Sequence, residues 1–267
     1  MKLTMLGTGN ATVTECYNTC FVVEDNGELL LVDGGGGNTI LQRLKAAGYK
    51  WQDVRKIFVT HKHIDHLLGI IWMVRMITQN MKRGKYDGEA YIYGHDEVLS
   101  IIRDMAGQVL AAGEVAYIDK RLHLVEVKDG EEFVAAGNRC VAFDIRSTKA
   151  KQFGFTMYYG DGKKLTCCGD EPYNECEFEY ANNSDWLLHE AFCLYSQADV
   201  FAPYEKHHST AKDACELAAQ LKAKNVVLYH TEDKNIRDRK ALYTAEGATV
   251  YDGNIVVPDD MEVIEIN

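Results

Sequence analysis

The chain has 267 residues, of which 46% are hydrophobic and 26% charged, with a formal net charge of -11 and a pI of about 5.3. This composition is typical of a globular protein with a large core, and the acidic balance argues against a broad basic surface that holds long nucleic acid. No long apolar run or signal-like N-terminus is present, so we expect no membrane contact and a cytoplasmic protein with reduced cysteines.

The first part of the chain is rich in predicted strands. Apolar runs up to Val32, joined by Gly-containing turns, predict a β-meander. Four glycines at 34–37 follow Asp33 and precede a predicted helix over 39–47. Because they lack the spacing and the Gly-Lys-Ser/Thr ending of phosphate loops, we interpret them as a loop whose backbone passes close to other atoms.

A cluster of histidines follows the next predicted strand, over 56–60. It contains His61, His63, Asp65 and His66. The segment after it is apolar at helical spacing as far as residue 80, so we expect the cluster in a tight loop between strand and helix. Neutral imidazoles and carboxylates are the ligands that zinc and similar divalent ions prefer. Ligands this close in sequence cannot all reach one ion without strain, so the cluster predicts room for two ions.

The rest of the chain again shows strands followed by helices. The predicted order is strand 90–93, helix 95–105, strands 121–127 and 138–145, a hairpin of 153–159 and 163–168, strand 185–188, helix 210–222 with Ser209 as its N-cap, strand 226–229, helix 236–246, and strands 248–251 and 262–266. Two such halves without a linker predict a single domain over residues 1–267, with two facing sheets and helices outside.

Three further polar residues lie where they can complete a metal site. Asp170 and His230 each follow a predicted strand. A carboxylate can bridge two divalent ions, and an imidazole can complete the second ion's site. His208 precedes a predicted helix and can donate a proton to a leaving group. Without the histidine cluster, His230 and Asp170 would each be interpreted as a structural residue.

Together these segments resemble the metallo-β-lactamase superfamily and, within it, the ribonuclease Z-like branch. The likeness covers nearly the whole chain, and its most specific part is the motif His61-x-His63-x-Asp65-His66. The other matching segments are Leu6-Gly7-Thr8-Gly9, Asp33-Gly34, Gly169-Asp170, His189-Glu190-Ala191, His208-Ser209-Thr210 and His230. The resemblance implies an α/β fold, the αββα four-layer metallo-β-lactamase sandwich, with metals at one edge of the sheets.

The resemblance also implies a reaction and roles for single residues. It implies a metal-dependent hydrolase that uses a metal-held hydroxide and binds one or two ions of Zn²⁺, or of Mn²⁺ or Fe²⁺, per chain. The implied ligands are His61, His63, Asp65, His66, Asp170 and His230. Asp65 would also orient the nucleophile, and Asp170 would bridge the ions. His208 would protonate the leaving oxygen, and Asp33 would steady the ligands.

One departure from the family concerns the metal. A further family histidine should follow the strand 138–145, but this chain has Arg146 or Ser147 there. A guanidinium is always protonated and cannot bind a metal. The half of the site that contains His61 and His63 therefore lacks a ligand, and we expect one ion to bind tightly and the other to bind weakly or not at all. Arg146 becomes a candidate for binding an anionic group of the substrate.

A second departure concerns the substrate. The hairpin 153–168 leaves no room for the arm with which tRNA-processing relatives grip tRNA, so a small anionic phosphodiester, such as a cyclic nucleotide or a short oligonucleotide, is the favoured substrate. The alternatives are a hydrolase of lactones or other esters, since one fold serves many reactions, and a ligand-binding protein with a degraded metal site. A homodimer is compatible with the sequence.

Overall fold

The computed structural model describes residues 1–267 and contains two seven-stranded sheets. The strands are β1 (Lys2–Gly7), β2 (Cys20–Asp25), β3 (Glu28–Val32), β4 (Lys56–Phe58), β5 (Ala90–Gly94), β6 (Leu122–Glu126), β7 (Glu132–Ala135), β8 (Asn138–Asp144), β9 (Phe153–Tyr159), β10 (Lys163–Cys167), β11 (Trp186–Glu190), β12 (Asn225–Tyr229), β13 (Asn254–Val256) and β14 (Val263–Glu265). The helices are α1 (Thr39–Ala46), α2 (Ile64–Lys82), α3 (Asp96–Val109), α4 (Ala112–Val115), α5 (Phe178–Ala181), α6 (Ala198–Phe201), α7 (Ala211–Gln220) and α8 (Arg239–Gly247).

In chain order, each sheet starts with antiparallel strands and continues with parallel ones. The first has the order β14-β1-β2-β3-β4-β5-β6, and β3 to β6 are parallel. The second has the order β13-β12-β11-β10-β9-β8-β7, and β10 to β13 are parallel. The carboxyl ends of parallel neighbours meet at one edge of a sheet, which is where ligands bind in sheets of this kind. The loop after β4 and the segments after β10 and β12 therefore come together.

Three apolar clusters separate the layers. Aromatic rings belong to the cluster between the sheets, where Phe58 packs on Phe133 and Phe155 with ring centroids 5.4 and 5.1 Å apart. A second cluster packs α1, α2 and α3 on the outer face of the first sheet, and a third packs α7 and α8 on the outer face of the second. The αββα sandwich predicted from the sequence is thus confirmed.

Several local predictions were wrong at the ends of elements. Helix α2 begins at Ile64, so Asp65 and His66 lie in its first turn and only His61 and His63 lie in the loop. An acidic residue in a first turn is favourable beside the positive end of the helix dipole, and the apolar pattern alone did not reveal this. Thr210, not Ser209, caps α7, because its hydroxyl accepts from the Asp213 amide in a capping box.

Two strands were also misjudged. Strand β7 was not predicted, although it pairs with β8 along its whole length. The segment 248–251 is not a strand, because it follows α8 directly, and the last strand of the second sheet is β13 instead. All eight cysteines are free thiols. None of the helices combines the length and the apolar character needed to cross a membrane.

Candidate metal centre

A contact between two glycines fixes the start of α2 against the end of β3. A Cβ at Gly69 would lie 1.8 Å from the Gly34 carbonyl oxygen, so no larger residue fits. The Gly34 amide donates to the His66 carbonyl, and the Gly69 amide donates to the Gly35 carbonyl, both at 2.9 Å. The glycine run is therefore a close-approach loop, as its sequence indicated, and it brings Asp33 next to the histidine cluster.

Asp33 orients two imidazoles of that cluster. Its Oδ2 accepts from the Thr60 hydroxyl at 2.7 Å and lies 2.7 Å from His66 Nδ1. Because the single Thr60 hydroxyl proton goes to Asp33, the hydroxyl accepts from His61 Nδ1, 2.9 Å away. A proton on Nδ1 leaves Nε2 of the neutral His61 ring with a free lone pair, the form in which histidine binds a metal.

The other ring nitrogens converge on two carboxylate oxygens. Asp170 Oδ2 lies 3.5, 3.3 and 3.4 Å from the Nε2 atoms of His61, His66 and His230. Asp65 Oδ2 lies 3.4 and 3.5 Å from those of His66 and His230. Donors held tetrahedrally at about 2.0–2.1 Å from an ion are about 3.3–3.4 Å apart. His66 Nε2 and His230 Nε2 are buried without a hydrogen-bond partner. The donor set therefore fits a divalent metal.

A second group of donors shares Asp170. His61 Nε2 lies 2.8 Å from His63 Nδ1, and with Asp170 these residues form a separate group of three close donors. No third imidazole joins them, in keeping with the absence of a histidine between 123 and 189. The structure thus brings together all six predicted metal ligands, four around one point and three around another, with Asp170 in both.

Burial and charge act differently on these groups. Burial lowers the pKa of His61 well below its ordinary value and lowers that of His63 as well. Burial also favours neutral His66, but the charges of Asp65 and Asp33 outweigh it and raise the pKa of His66 well above the usual range. The imidazoles likewise overcome burial at Asp65 and Asp170 and lower the pKa of both carboxyls. The centre is an anionic, cation-seeking cluster.

Gln152 holds the bridging carboxylate in place. Its amide donates to Asp170 Oδ1 at 2.7 Å, which leaves Oδ2 to face the imidazoles. Gly169 has a φ of +78°, and a Cβ there would lie 2.6 Å from the Gln152 amide nitrogen. The glycine before Asp170 is therefore required both by its backbone conformation and by this contact. The role of Gln152 was not predicted from the sequence, because it depends on the path of the loop after β8.

A cavity of about 310 Å³ opens beside the donors. Its lining comprises Ala11, His63, Ile64, Asp65, Lys149, Asp170, His208 and His230. A hollow of similar size, about 300 Å³, lies at the opposite ends of β3, β4 and β5, but none of its residues belongs to a metal-donor group. The cavity at the cluster is the candidate site for a substrate.

His208 stands on the wall of this cavity with a carboxylate behind it. Glu190 Oε2 lies 3.5 Å from His208 Nδ1, and Glu190 Oε1 accepts from the Ser209 amide. Both side chains are buried, Glu190 completely. The role of Glu190 was not predicted, although its position at the end of β11, directly before the connection that leads to His208, was a usable signal.

Arg146 lies apart from these groups. Its side chain is exposed, its φ is +54°, and it is not among the residues that line the cavity. The cation that lines the cavity is Lys149, whose Nζ lies 3.5 Å from His208 Nε2. Substrate binding by Arg146 stays a prediction.

Comparison with known families agrees with this architecture. The family model described as Anti-Pycsar protein Apyc1 matches residues 1–248. The chain belongs to this family. The match spans both sheets up to α8 and includes every donor named above.

This Anti-Pycsar protein Apyc1 family member is also similar to ribonucleases Z. The enzyme of Archaeoglobus fulgidus is 24% identical over 98% of this chain and 97% of the relative. Human tRNase Z, short form, superposes with a TM-score of 0.75 at 22% identity over 100% of both chains. The metallo-β-lactamase fold protein YhfI from Bacillus subtilis superposes with a TM-score of 0.78 at 16% identity over 98% of both chains. These findings confirm the ribonuclease Z-like resemblance, the fold and the class predicted from the sequence, a metal-dependent hydrolase of phosphodiesterase type.

Proposed function

We propose that this member of the Anti-Pycsar protein Apyc1 family is a zinc-dependent phosphodiesterase that hydrolyses a small phosphodiester, such as a cyclic nucleotide or a short oligonucleotide. One observation carries the proposal: four of the six metal donors, His63, Asp65, Asp170 and His230, line a cavity of about 310 Å³ that His208 also lines. A cavity of this volume is at the lower end of the range for small-molecule sites. Mn²⁺ and Fe²⁺ remain alternatives to zinc, because mixed imidazole and carboxylate donors suit all three.

The protein's own residues supply position and protons. A divalent ion bound at the donors contributes a water of lowered pKa and offsets phosphoryl charge. Asp65, whose Oδ2 lies among the donors, accepts a hydrogen bond from the attacking water and thereby orients it. His208, which lines the cavity, gives its proton to the leaving oxygen. Glu190, behind His208 Nδ1, stabilises the protonated ring and fixes its orientation.

The shape of the second sheet favours a small substrate over tRNA. Strands β9 and β10 are joined by three residues, 160–162, so no arm extends from this hairpin. The net charge of -11 is also unfavourable for a long polyanion. The cytoplasmic location and a homodimer stay predictions.

The alternative of a lactone or neutral ester hydrolase is less well supported. A proton donor and a lysine in one cavity suit a substrate that is an anion and has a poor leaving group. The three-donor group is the observation that favours the other alternative, a ligand-binding protein that retains only part of the metal site.

Turnover of two substrates by the zinc- or manganese-loaded protein tests the proposal. A 3′,5′-cyclic mononucleotide has an alkoxide leaving group that needs a proton, whereas bis-p-nitrophenyl phosphate releases a stable anion. We expect both to be hydrolysed. His208→Ala should lower kcat on the cyclic nucleotide by about 100-fold or more and affect bis-p-nitrophenyl phosphate much less.

His207 offers a matched control, because it is adjacent and exposed, with a φ of +55° that asparagine tolerates. His207→Asn should behave like the wild type on both substrates. Hydrolysis of lactones without hydrolysis of phosphodiesters would contradict the proposal. Failure of the metal-loaded protein to hydrolyse either of the two phosphodiesters would also contradict it.

A further inference from the structure

Lys149 is the cation that lines the cavity next to the metal donors. Its Nζ lies 3.5 Å from His208 Nε2 and 4.0 Å from Glu171 Oε1. Both contacts are at the outer limit of a polar interaction, and a lysine ammonium has three donors. The ammonium therefore keeps hydrogen-bonding capacity for a group inside the cavity.

The position of Lys149 is built by the segment that replaces the expected histidine. Ser147 Oγ accepts from the amides of Lys149 and Ala150, each at 3.2 Å, and donates to Glu171 Oε1 at 2.7 Å. Glu171 is buried and directly follows Asp170. The turn that carries Lys149 is thus hydrogen-bonded to the residue that follows the bridging carboxylate. These contacts fix the position of the turn relative to the metal donors.

The position of Lys149 beside the metal donors suits the binding of a negatively charged group of the substrate. The three-donor group lacks a third imidazole on this side of the centre, and His63, one of its members, lines the same cavity as Lys149. A phosphodiester carries one negative charge on two non-bridging oxygens. The Lys149 side chain is 26% exposed, so its ammonium is partly removed from water and stabilises such an oxygen more than it would in bulk water.

We propose that Lys149 binds a non-bridging oxygen of the substrate phosphate and so selects phosphodiesters over neutral esters and lactones. This inference rests on the proposed function and adds the residue that recognises the anion. Arg146, three residues earlier, does not line the cavity.

Three variants test the assignment on the zinc-loaded full-length chain. Lys149→Met removes the charge and keeps the length of the side chain, and Lys149→Arg restores the charge. Lys151→Met is the matched control, because the Lys151 ammonium forms an ion pair with Asp96 at 2.5 Å and does not line the cavity. Metal content and circular dichroism establish that each variant is folded and loaded.

Two measurements report on anion binding. Loss of a charge-assisted contact is typically worth about 1.5–3 kcal/mol, so KM for bis-p-nitrophenyl phosphate should rise at least 10-fold in Lys149→Met, with a smaller change in kcat. The Kd of inorganic phosphate, measured by calorimetry, should rise by a similar factor. Lys149→Arg should recover most of both effects, and Lys151→Met should show neither.

The outcomes separate this inference from the proposed function. Wild-type values of KM and phosphate Kd in Lys149→Met would overturn the role of Lys149 while leaving the phosphodiesterase intact. If the wild type hydrolyses no phosphodiester, the proposed function fails, but calorimetry still tests Lys149. Phosphate binding that is weakened only in Lys149→Met supports Lys149 as the anion-binding residue. Phosphate binding that is equal in all variants, or absent from all of them, refutes this role.

Discussion

The two halves of the metal centre share one oxygen, Asp170 Oδ2, but differ in almost everything else. The half that we call closed has four buried donors: Asp65, His66, Asp170 and His230. The half that we call open has three donors, His61, His63 and Asp170, and His63 is only half-buried. The pKa of His66 in the closed half is raised, whereas the pKa of His61 in the open half is lowered.

This difference follows a general division among metal sites. Four protein ligands around one ion are typical of sites that hold the ion firmly, whereas catalytic sites often use three protein ligands and keep one position free. The missing histidine of the open half therefore need not mark a degraded site. It leaves a position on the side of the cavity where His63 and Lys149 lie. We expect the closed half to retain its ion and the open half to exchange it.

The most damaging substitution should be Asp170→Asn, because it removes the charge that both halves share. Zinc content after dialysis should fall below one equivalent, and phosphodiesterase kcat should fall by about 1,000-fold or more, in line with the loss of a catalytic metal. Asp161→Asn, in the exposed turn between β9 and β10, is the control. Retention of full zinc content by Asp170→Asn would show that the halves are independent.

Single ligand substitutions should separate the halves. His230→Ala removes one ligand of the closed half and should abolish binding of the tightly held zinc equivalent. Activity should fall by more than the about 10–100-fold that is lost when a residue hydrogen-bonded to a metal ligand is replaced. His63→Ala should leave one tight equivalent after dialysis and reduce activity less than His230→Ala does. Elemental analysis of both variants and of the wild type measures this. Two equivalents in the dialysed wild type would contradict the expected difference between the halves.

The positions of the six candidate ligands could be predicted from the sequence because these residues occupy a contiguous motif and two strand ends, places where residue type and topology alone fix the position. His61 and Asp170 are examples. Lys149 and Gln152 could not be predicted, because their positions depend on the turn at 146–150, which Arg146 enters with a φ of +54°. The hydrophobic periodicity of a sequence does not predict the path of such a turn. Strand β7 was not predicted for a related reason, because it is only four residues long and is defined by its pairing with β8.

A smaller effect is expected from the hydroxyl that orients the open half. Thr60→Val keeps the shape of the side chain but removes the hydroxyl that accepts from His61 Nδ1 and donates to Asp33. The His61 ring then loses the partner that fixes its tautomer, so affinity for the second zinc ion should weaken by about 10-fold or more. Competition with a chromophoric chelator measures both affinities. An equal loss at the tight site would mean that Thr60 acts through Asp33 and His66 instead.

The opposite pKa shifts predict opposite pH dependences in the metal-free protein. Because the pKa of His61 is lowered on folding, the unfolded chain binds its proton first, and stability is lost as the pH falls from about 6.5 through the folded pKa. Because the pKa of His66 is raised, its contribution is complete below about 6.5 and is lost as the pH rises through the folded pKa. Each slope is at most about 1.4 kcal/mol per pH unit.

Urea unfolding with a chelator present, between pH 5 and 8, tests this contrast. His61→Asn should flatten the acidic side of the stability profile, and His66→Asn should flatten the alkaline side. His207→Asn, which is exposed, should change neither. Saturating zinc should abolish the alkaline slope but not the acidic one, because a bound ion keeps the ligating nitrogens of both rings free of protons while the unfolded chain still binds protons at low pH. The same slopes in both variants as in the wild type would show that the two halves do not differ in their protonation.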